Sequence, residues 1–128
     1  MIEFCNLTRT HISTVSLERL YKRIFSKNEF EVSVVFMGDA RMRQLNKKHR
    51  GKDKVANVLS FLLDGGSSDV RMTRSRRQRG AGEIFLHVHE KDIEHLFVHG
   101  CLHLLGYDHI DDKDASRMEK KERDILKR

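Results

Sequence analysis

Residues 99–109 read HGCLHLLGYDH, and this stretch predicts a helix followed at once by a tight turn. His99 and His103 are four residues apart, so on a helix both imidazoles project from one face, with Cβ atoms about 5–6 Å apart. Gly106 then allows the left-handed backbone conformation that commonly ends a helix. The turn after it can bring His109 back toward the pair. Three histidines leave a fourth coordination position open, as at catalytic zinc sites, so we predict that His99, His103 and His109 bind zinc.

Neighbouring side chains offer alternatives that the sequence leaves open. His95 is also four residues before His99, but only His99 and His103 are followed directly by the glycine turn and a third histidine. Cys101 is two residues from each preferred ligand, so it faces away from them on a helix and is not counted as a ligand. Imidazole ligands also suit nickel, so the spacing alone does not separate nickel from zinc.

Three further residues have two interpretations each. His87 and His89 lie on one face of a predicted strand, where they either support the metal ligands or are ordinary core or solvent-exposed histidines. Asp108 either orients a ligand histidine through its second ring nitrogen or serves only the turn.

The spacing of the three histidines also matches that of the metzincin zinc proteases. In those enzymes a glutamate follows the first histidine and acts as the general base. Gly100 occupies that position here, and glycine has no side chain to accept a proton. The sequence therefore argues against ordinary peptidase chemistry, unless a Glu or Asp from elsewhere supplies the base.

The hydrophobic pattern around this stretch predicts four strands and four helices. Alternating β-branched residues indicate strands, and apolar residues at three- and four-residue spacing indicate helices. Ser13 or Ser16 is the expected N-cap of the first helix, Asp39 that of the second, and Asp111 or Asp112 that of the last. The predicted elements are strand 2–7, helix 13–27, strand 31–37, helix 40–49, strand 55–63, strand 83–89, helix 91–105 and a helix from 111 or 112 to about 126.

This order predicts one small α+β (mixed α/β) domain over residues 1–128, with a central mixed sheet of about four strands and helices packed on it. The metal site then lies on the penultimate helix and the turn after it. Residues 64–80, rich in Gly, Ser and Arg, are expected to form a mobile basic loop. The residues assigned to the core include Leu59, Phe61, Ile84, Leu102 and Leu105.

Composition narrows the class of protein. The 128 residues are 38% apolar and 34% charged, and no apolar run approaches the ~20 residues of a membrane span. Two distant cysteines, Cys5 and Cys101, and an N-terminus without a signal-peptide pattern predict a cytoplasmic protein with reduced thiols. The net charge of +6 favours a polyanionic partner such as nucleic acid. The five arginines between Arg71 and Arg79 are either an RNA-contacting arm or a solvated loop.

Several motifs together resemble the YbeY family of metal-dependent endoribonucleases that mature ribosomal RNA. The family pattern His-Gly-x-Leu-His-Leu-x-Gly-Tyr-Asp-His is matched throughout residues 99–109. The similarity extends from about residue 30 to the end of the chain. It includes 49–53 with 57–61, Gly82-Glu83-Ile84, Met118-Glu119 and Glu122. The chain departs from the family pattern at Ala56-Asn57, where Thr-Asp is common, and at Glu83, which replaces an Asp. The stretch between Ile84 and His99 is also shorter than in the pattern.

The resemblance implies a zinc-dependent, single-strand-specific endoribonuclease that acts in small-subunit ribosomal RNA maturation and ribosome quality control. It implies one Zn²⁺ per chain, ribosomal RNA and the small ribosomal subunit as partners, and no membrane or small-molecule cofactor. Arg50 matches the family's functional arginine, and its guanidinium can hold a phosphate through two parallel hydrogen bonds. A metal here would polarise a phosphate oxygen or lower the pKa of a bound water. The general base and the oligomeric state stay unassigned.

Two other functions remain possible at this point. One is an atypical metalloprotease-like hydrolase, against which Gly100 argues. The other is a ribosome-binding assembly factor whose metal mainly stabilises the fold. The open fourth coordination position favours catalysis over the second of these.

Overall fold

The computed structural model describes residues 1–25, 30–63, 80–107 and 112–127. Within these ranges, four strands and four helices follow one another in the predicted order β-α-β-α-β-β-α-α. They are β1 (Ile2–Asn6), α1 (Val15–Ile24), β2 (Phe30–Met37), α2 (Asp39–Arg50), β3 (Val58–Leu62), β4 (Gly80–His87), α3 (Ile93–Leu104) and α4 (Asp112–Leu126).

The four strands form one mixed sheet in the order β1-β2-β4-β3. β1 and β4 both pair with β2 in parallel, whereas β3 pairs with β4 in the antiparallel sense. Among the residues that the structure describes, β3 is therefore an edge strand. The predicted α+β fold with a mixed four-stranded sheet is confirmed.

One face of the sheet carries the core because alternate residues of a strand point to the same side. On β2 and β4 these are Val32, Val34, Phe36, Ile84 and Leu86, which are almost completely buried. α1 and α3 pack in the same hydrophobic cluster, where removal of their apolar faces from water supplies the main driving force. The buried apolar side chains of the two helices are Leu17, Leu20, Tyr21, Phe97, Val98, Cys101, Leu102 and Leu104.

Two glycines let α3 lie close to the sheet. A Cβ atom at Gly100 would come within 3.2 Å of Ile84 Cγ2, and one at Gly82 within 2.7 Å of the Leu104 methyl groups. A side chain at either position would require the neighbouring side chain, Ile84 or Leu104, to shift. The glycine that removes the protease base from position 100 thus also allows close packing of α3 on β4.

The helix caps differ from the prediction. The N-cap of α1 is Thr14 rather than Ser13 or Ser16, and that of α2 is Gly38 rather than Asp39. Within the described residues, neither N-cap has a side chain that accepts a hydrogen bond from a backbone N–H of its helix. Asp39 instead begins α2 and directs its carboxylate to a histidine of β4, a tertiary contact that local pattern does not reveal.

Burial and strand limits also correct some expectations. Leu59, Ile84 and Leu102 are buried as predicted, but Phe61 and Leu105 are only half-buried. β4 starts at residue 80, three residues earlier than predicted, because residues 80–82 continue the parallel pairing with β2. It ends at residue 87, and His89 lies in the turn beyond it.

The rest of the basic loop predicted at 64–80, with its five arginines, lies outside the described residues. No helix within the described ranges has the length and apolarity that a membrane crossing requires.

Candidate metal centre

His99 and His103 lie one turn apart on α3, as their spacing predicts. Their Nε2 atoms are 3.1 Å apart, and their rings are nearly perpendicular, at 79°. Two nitrogens bound to one tetrahedral zinc at 2.0–2.1 Å would be separated by about 3.3 Å. The pair therefore fits one edge of a tetrahedral metal site.

Glu122 of α4 fixes the orientation of this pair. Its carboxylate is buried, and Oε2 lies 2.6 Å from His99 Nδ1. A proton on Nδ1 that is donated to the carboxylate leaves the lone pair of His99 on Nε2, the nitrogen that faces His103. A carboxylate behind a histidine in this way is the usual support of a metal-ligating imidazole.

The role of Glu122 was missed by sequence reasoning, which noted the residue only as part of the family resemblance. A signal was present in the pattern of α4. Met118, Glu122 and Ile125 recur at helical spacing, and all three are buried, so a carboxylate interrupts an otherwise apolar stripe. A buried carboxylate requires a partner, and the histidines of α3 are the partner here.

His95 shares the same carboxylate. Its Nε2 lies 3.1 Å from Glu122 Oε1, and its side chain is 43% exposed. The ring centres of His95 and His99 are 6.5 Å apart, compared with 4.6 Å for His99 and His103. This geometry favours His99 and His103 as the metal-binding pair, with His95 as a neighbour on the helix.

The chain turns directly after the pair. α3 ends at Leu104, and Gly106 has a φ of 100°, the left-handed conformation predicted for it. Tyr107 N–H donates to Leu102 O at 2.9 Å, which closes the turn. The predicted third ligand, His109, and its neighbour Asp108 lie outside the described residues. Across the ranges that are described, no group of three or more His, Cys, Asp or Glu side chains is placed to hold a metal.

A cleft of about 690 Å³ lies beside the histidines, within the size range of small-molecule sites. It follows the outer edge of β3 and is lined by that strand together with Arg50, His99, His103 and Leu104. Arg50 is the last residue of α2 and is exposed. The fold thus brings the predicted arginine and two of the three predicted histidines to one cleft.

Polar contacts hold the segment after Arg50 against α2. Gly51 ends the helix with a φ of 71°. Asn46, which is buried, donates from Nδ2 to Lys54 O at 2.9 Å. Arg43 Nε lies 2.7 Å from Asp53 Oδ1, and this hydrogen bond holds the pKa of the Asp53 carboxyl below its usual value. These contacts fix the path from α2 to the edge strand.

The same segment concentrates positive charge. Between residues 39 and 54 the chain has seven Lys and Arg residues and only two Asp. The last turn of α2 alone contains Lys47, Lys48, His49 and Arg50. This side of the cleft is therefore suited to a polyanion.

His87 belongs to a separate cluster. Its Nε2 lies 2.5 Å from Asp39 Oδ1 and its Nδ1 lies 2.6 Å from Glu90 Oε2. Burial by itself would lower the pKa of His87, but the hydrogen bonds to Glu90 and Asp39 together outweigh it and raise that pKa. The His89 ring contacts His87 edge-on, with centres 5.4 Å apart. Within the described residues, these contacts tie β4 to α2 and do not extend to the histidine pair of α3.

Comparisons with known proteins agree with one another. The family model described as Endoribonuclease YbeY matches residues 3–128. Endoribonuclease YbeY of Wolinella succinogenes is 36% identical over 126 residues, which cover 95% of this chain and 87% of that protein. The Agrobacterium fabrum protein of the same name is 40% identical over 119 residues, covering 86% and 70%. A solution structure of a Thermotoga maritima protein superposes with a TM-score of 0.61 at 26% identity, covering 98% of this chain and 86% of that one.

Proposed function

The chain belongs to the YbeY family of endoribonucleases, hydrolases of RNA phosphodiester bonds, and we propose that its cleavage site is the cleft beside β3. In this proposal His99, His103 and His109 hold one Zn²⁺ ion, and Arg50 binds the phosphate of the RNA. We further propose that residues 1–128 form one hydrolase domain.

The proposal that these histidines bind a metal rests on one observation. The Nε2 atoms of His99 and His103 face each other at 3.1 Å, while the Glu122 carboxylate lies within hydrogen-bond distance of His99 Nδ1. The separation suits two ligands of one ion, and a buried carboxylate behind a ligand fixes the orientation of its ring. His109 follows the glycine turn closely enough in sequence to serve as the third ligand.

Each protein group has a defined task in the proposed reaction. The zinc ion, when bound, supplies Lewis-acid chemistry at the phosphate. Arg50 holds the phosphate oxygens through two parallel hydrogen bonds and stabilises the negative charge that grows in the transition state. Glu122 keeps the proton of His99 on Nδ1, so that Nε2 stays available to the metal. The proton acceptor in the reaction is not assigned.

We propose single-stranded RNA of the small ribosomal subunit as the substrate, with roles in ribosomal RNA maturation and ribosome quality control in the cytoplasm. The family relationship and the basic segment 39–54 support an RNA substrate. Gly100 argues against a protease, because glycine has no side chain that could act as the general base.

The test combines elemental analysis with cleavage of a single-stranded fragment of small-subunit ribosomal RNA. Wild-type protein should contain one zinc per chain and cleave the fragment. His103→Ala should lose both properties, and Arg50→Ala should keep the metal but cleave about 10²–10³-fold more slowly. Lys48→Ala is the matched control, because Lys48 is an exposed cation of the same helix turn that does not line the cleft.

Two results would overturn the proposal. Full cleavage by metal-free protein or by His103→Ala would remove the metal from catalysis. Loss of folding together with the metal, with no cleavage by the wild type, would favour the assembly factor with a structural metal.

A further inference from the structure

Phe61 is an aromatic side chain in the cleft that the proposed chemistry does not use. It lies on β3, is half-buried, and lines the cleft together with Arg50 and the histidine pair. It is absent from the hydrophobic core cluster of the described residues, although its sequence pattern predicts a core position. A half-exposed phenylalanine on an edge strand calls for an explanation other than core packing.

Two aromatic neighbours hold this ring in place. The His49 ring lies 4.9 Å from it, tilted by 53°, and the Phe85 ring lies 5.8 Å from it in an edge-on arrangement at 69°. Contacts of this kind favour fixed ring geometries. A ring that is already ordered loses little conformational entropy when a ligand binds against it.

The ring also lies on the side of the sheet next to the end of α2. Phe61 pairs with Glu83 across the β3–β4 ladder, on the face opposite Ile84, against which α3 packs. His49, which touches Phe61, precedes Arg50 at the end of α2. A flat apolar ring and a guanidinium therefore line the same cleft, beside the positively charged segment 39–54.

We propose that Phe61, supported by His49, is the stacking surface for one nucleobase of the RNA whose phosphate is held by Arg50. Unpaired bases of single-stranded RNA can be splayed out and stacked on Phe or His rings, whereas bases inside a duplex already stack on their neighbours. The subsite would thus contribute to a preference for single strands. The inference rests on the proposed RNA substrate, and the positive charge of α2 favours RNA over an apolar peptide as the occupant.

A single tryptophan can report stacking directly. The chain contains no Trp, so Phe61→Trp introduces the only one. Its fluorescence should be quenched as a single-stranded RNA oligonucleotide binds. Leu7→Trp is the control, because Leu7 is exposed and follows the strand at the opposite edge of the sheet, and its emission should not change.

A second experiment measures coupling between Phe61 and one base. RNA oligonucleotides with an abasic nucleotide at successive positions are titrated against wild type, Phe61→Leu and Phe61→Tyr. At one position the abasic change should weaken wild-type binding about 10- to 100-fold. The same change should have little further effect on Phe61→Leu, and Phe61→Tyr should behave as the wild type does.

The outcomes separate this inference from the proposed function. Identical abasic profiles for wild type and Phe61→Leu, or unquenched Phe61→Trp in saturating RNA, would overturn the stacking subsite while cleavage by the wild type still stands. A Phe61→Trp signal that responds to an apolar peptide and not to RNA would also overturn it. If the wild type neither binds nor cleaves RNA, both ideas fail.

Discussion

Two histidine clusters of this chain use carboxylates in opposite ways. In the cluster at the end of β4, His87 has a carboxylate on each ring nitrogen, Glu90 at Nδ1 and Asp39 at Nε2. In the cluster on α3, among the residues that the structure describes, the Glu122 carboxylate lies at Nδ1 of His99, and Nε2 of that ring faces His103. Both histidines are buried or partly buried, and both have acidic partners.

The placement of the carboxylates around the ring decides what the histidine can do. Two acceptors require a proton on both nitrogens, so the imidazolium is favoured and the ring has no lone pair for a metal. One acceptor fixes a single proton and directs the lone pair of the other nitrogen outward. His87 is therefore suited to a structural ion-pair cluster and His99 to metal binding, although both sit within a histidine-rich stretch of sequence.

The largest expected effect distinguishes the two clusters by a matched substitution. His99→Gln retains an amide that can donate to Glu122, so the fold should survive, but the metal should be lost. Cleavage of RNA should then fall by at least about 100-fold. His87→Gln should keep the metal and most of the activity. The test measures the zinc content per chain and the cleavage rate of both variants. One zinc per chain in His99→Gln would contradict the contrast between the two clusters.

Glu122→Gln addresses the carboxylate alone and should have the next largest effect. The amide cannot hold the His99 proton as a carboxylate does, so metal affinity should fall about 10- to 100-fold. Competition with a chromophoric chelator gives the dissociation constant. Glu119→Gln is the control, because Glu119 is exposed on the same helix. Equal affinities for the two variants would mean that Glu122 serves only the packing of α4.

His87→Gln should produce a smaller, pH-dependent loss of stability. The raised pKa of folded His87 means that the folded state binds the proton more tightly than the unfolded chain does. Its stabilising contribution is complete below the unfolded pKa of about 6.5 and disappears as the pH rises through the higher folded value. We expect the free energy of unfolding to fall by about 1–3 kcal/mol at about pH 5.5.

Denaturant unfolding of the metal-free wild type and variant at about pH 5.5 and about pH 9 gives this difference directly. Other titrating groups are common to both proteins, so their effects cancel in the comparison. A difference that grows with rising pH would have the wrong sign for an imidazolium between two carboxylates.

The contrast also shows which features of the molecule can be predicted from the sequence. The order of elements, the mixed sheet, the histidine pair on one helix face and the glycine turn follow from periodicity and spacing. The start of β4 was missed because Gly80 and Gly82 have low strand propensity, yet both pair with β2. The assignment of His109 to the metal stays a prediction.

The missed features depend on contacts between distant segments. Glu122 reaches His99 only because α4 packs on α3, and Asp39 reaches His87 only because α2 begins beside the end of β4. Phe61 is half-exposed because β3 is an edge strand, which depends on sheet order rather than on local pattern. Each of these features depends on which helices and strands pack together. A single sequence specifies that packing only weakly.

The smallest expected effect concerns Cys101, which lies between the two histidines in sequence but on the buried side of α3. The residue is fully buried, and burial raises the pKa of its thiol well above the usual value. Cys5 is exposed, so one of the two thiols should react quickly with a thiol reagent in the native protein. Because Cys101 faces the sheet rather than the metal, removing the metal should not change this count. If a second thiol became reactive when the metal is removed from a still-folded protein, Cys101 would be one of the ligands. The proposed ligand set would then be wrong.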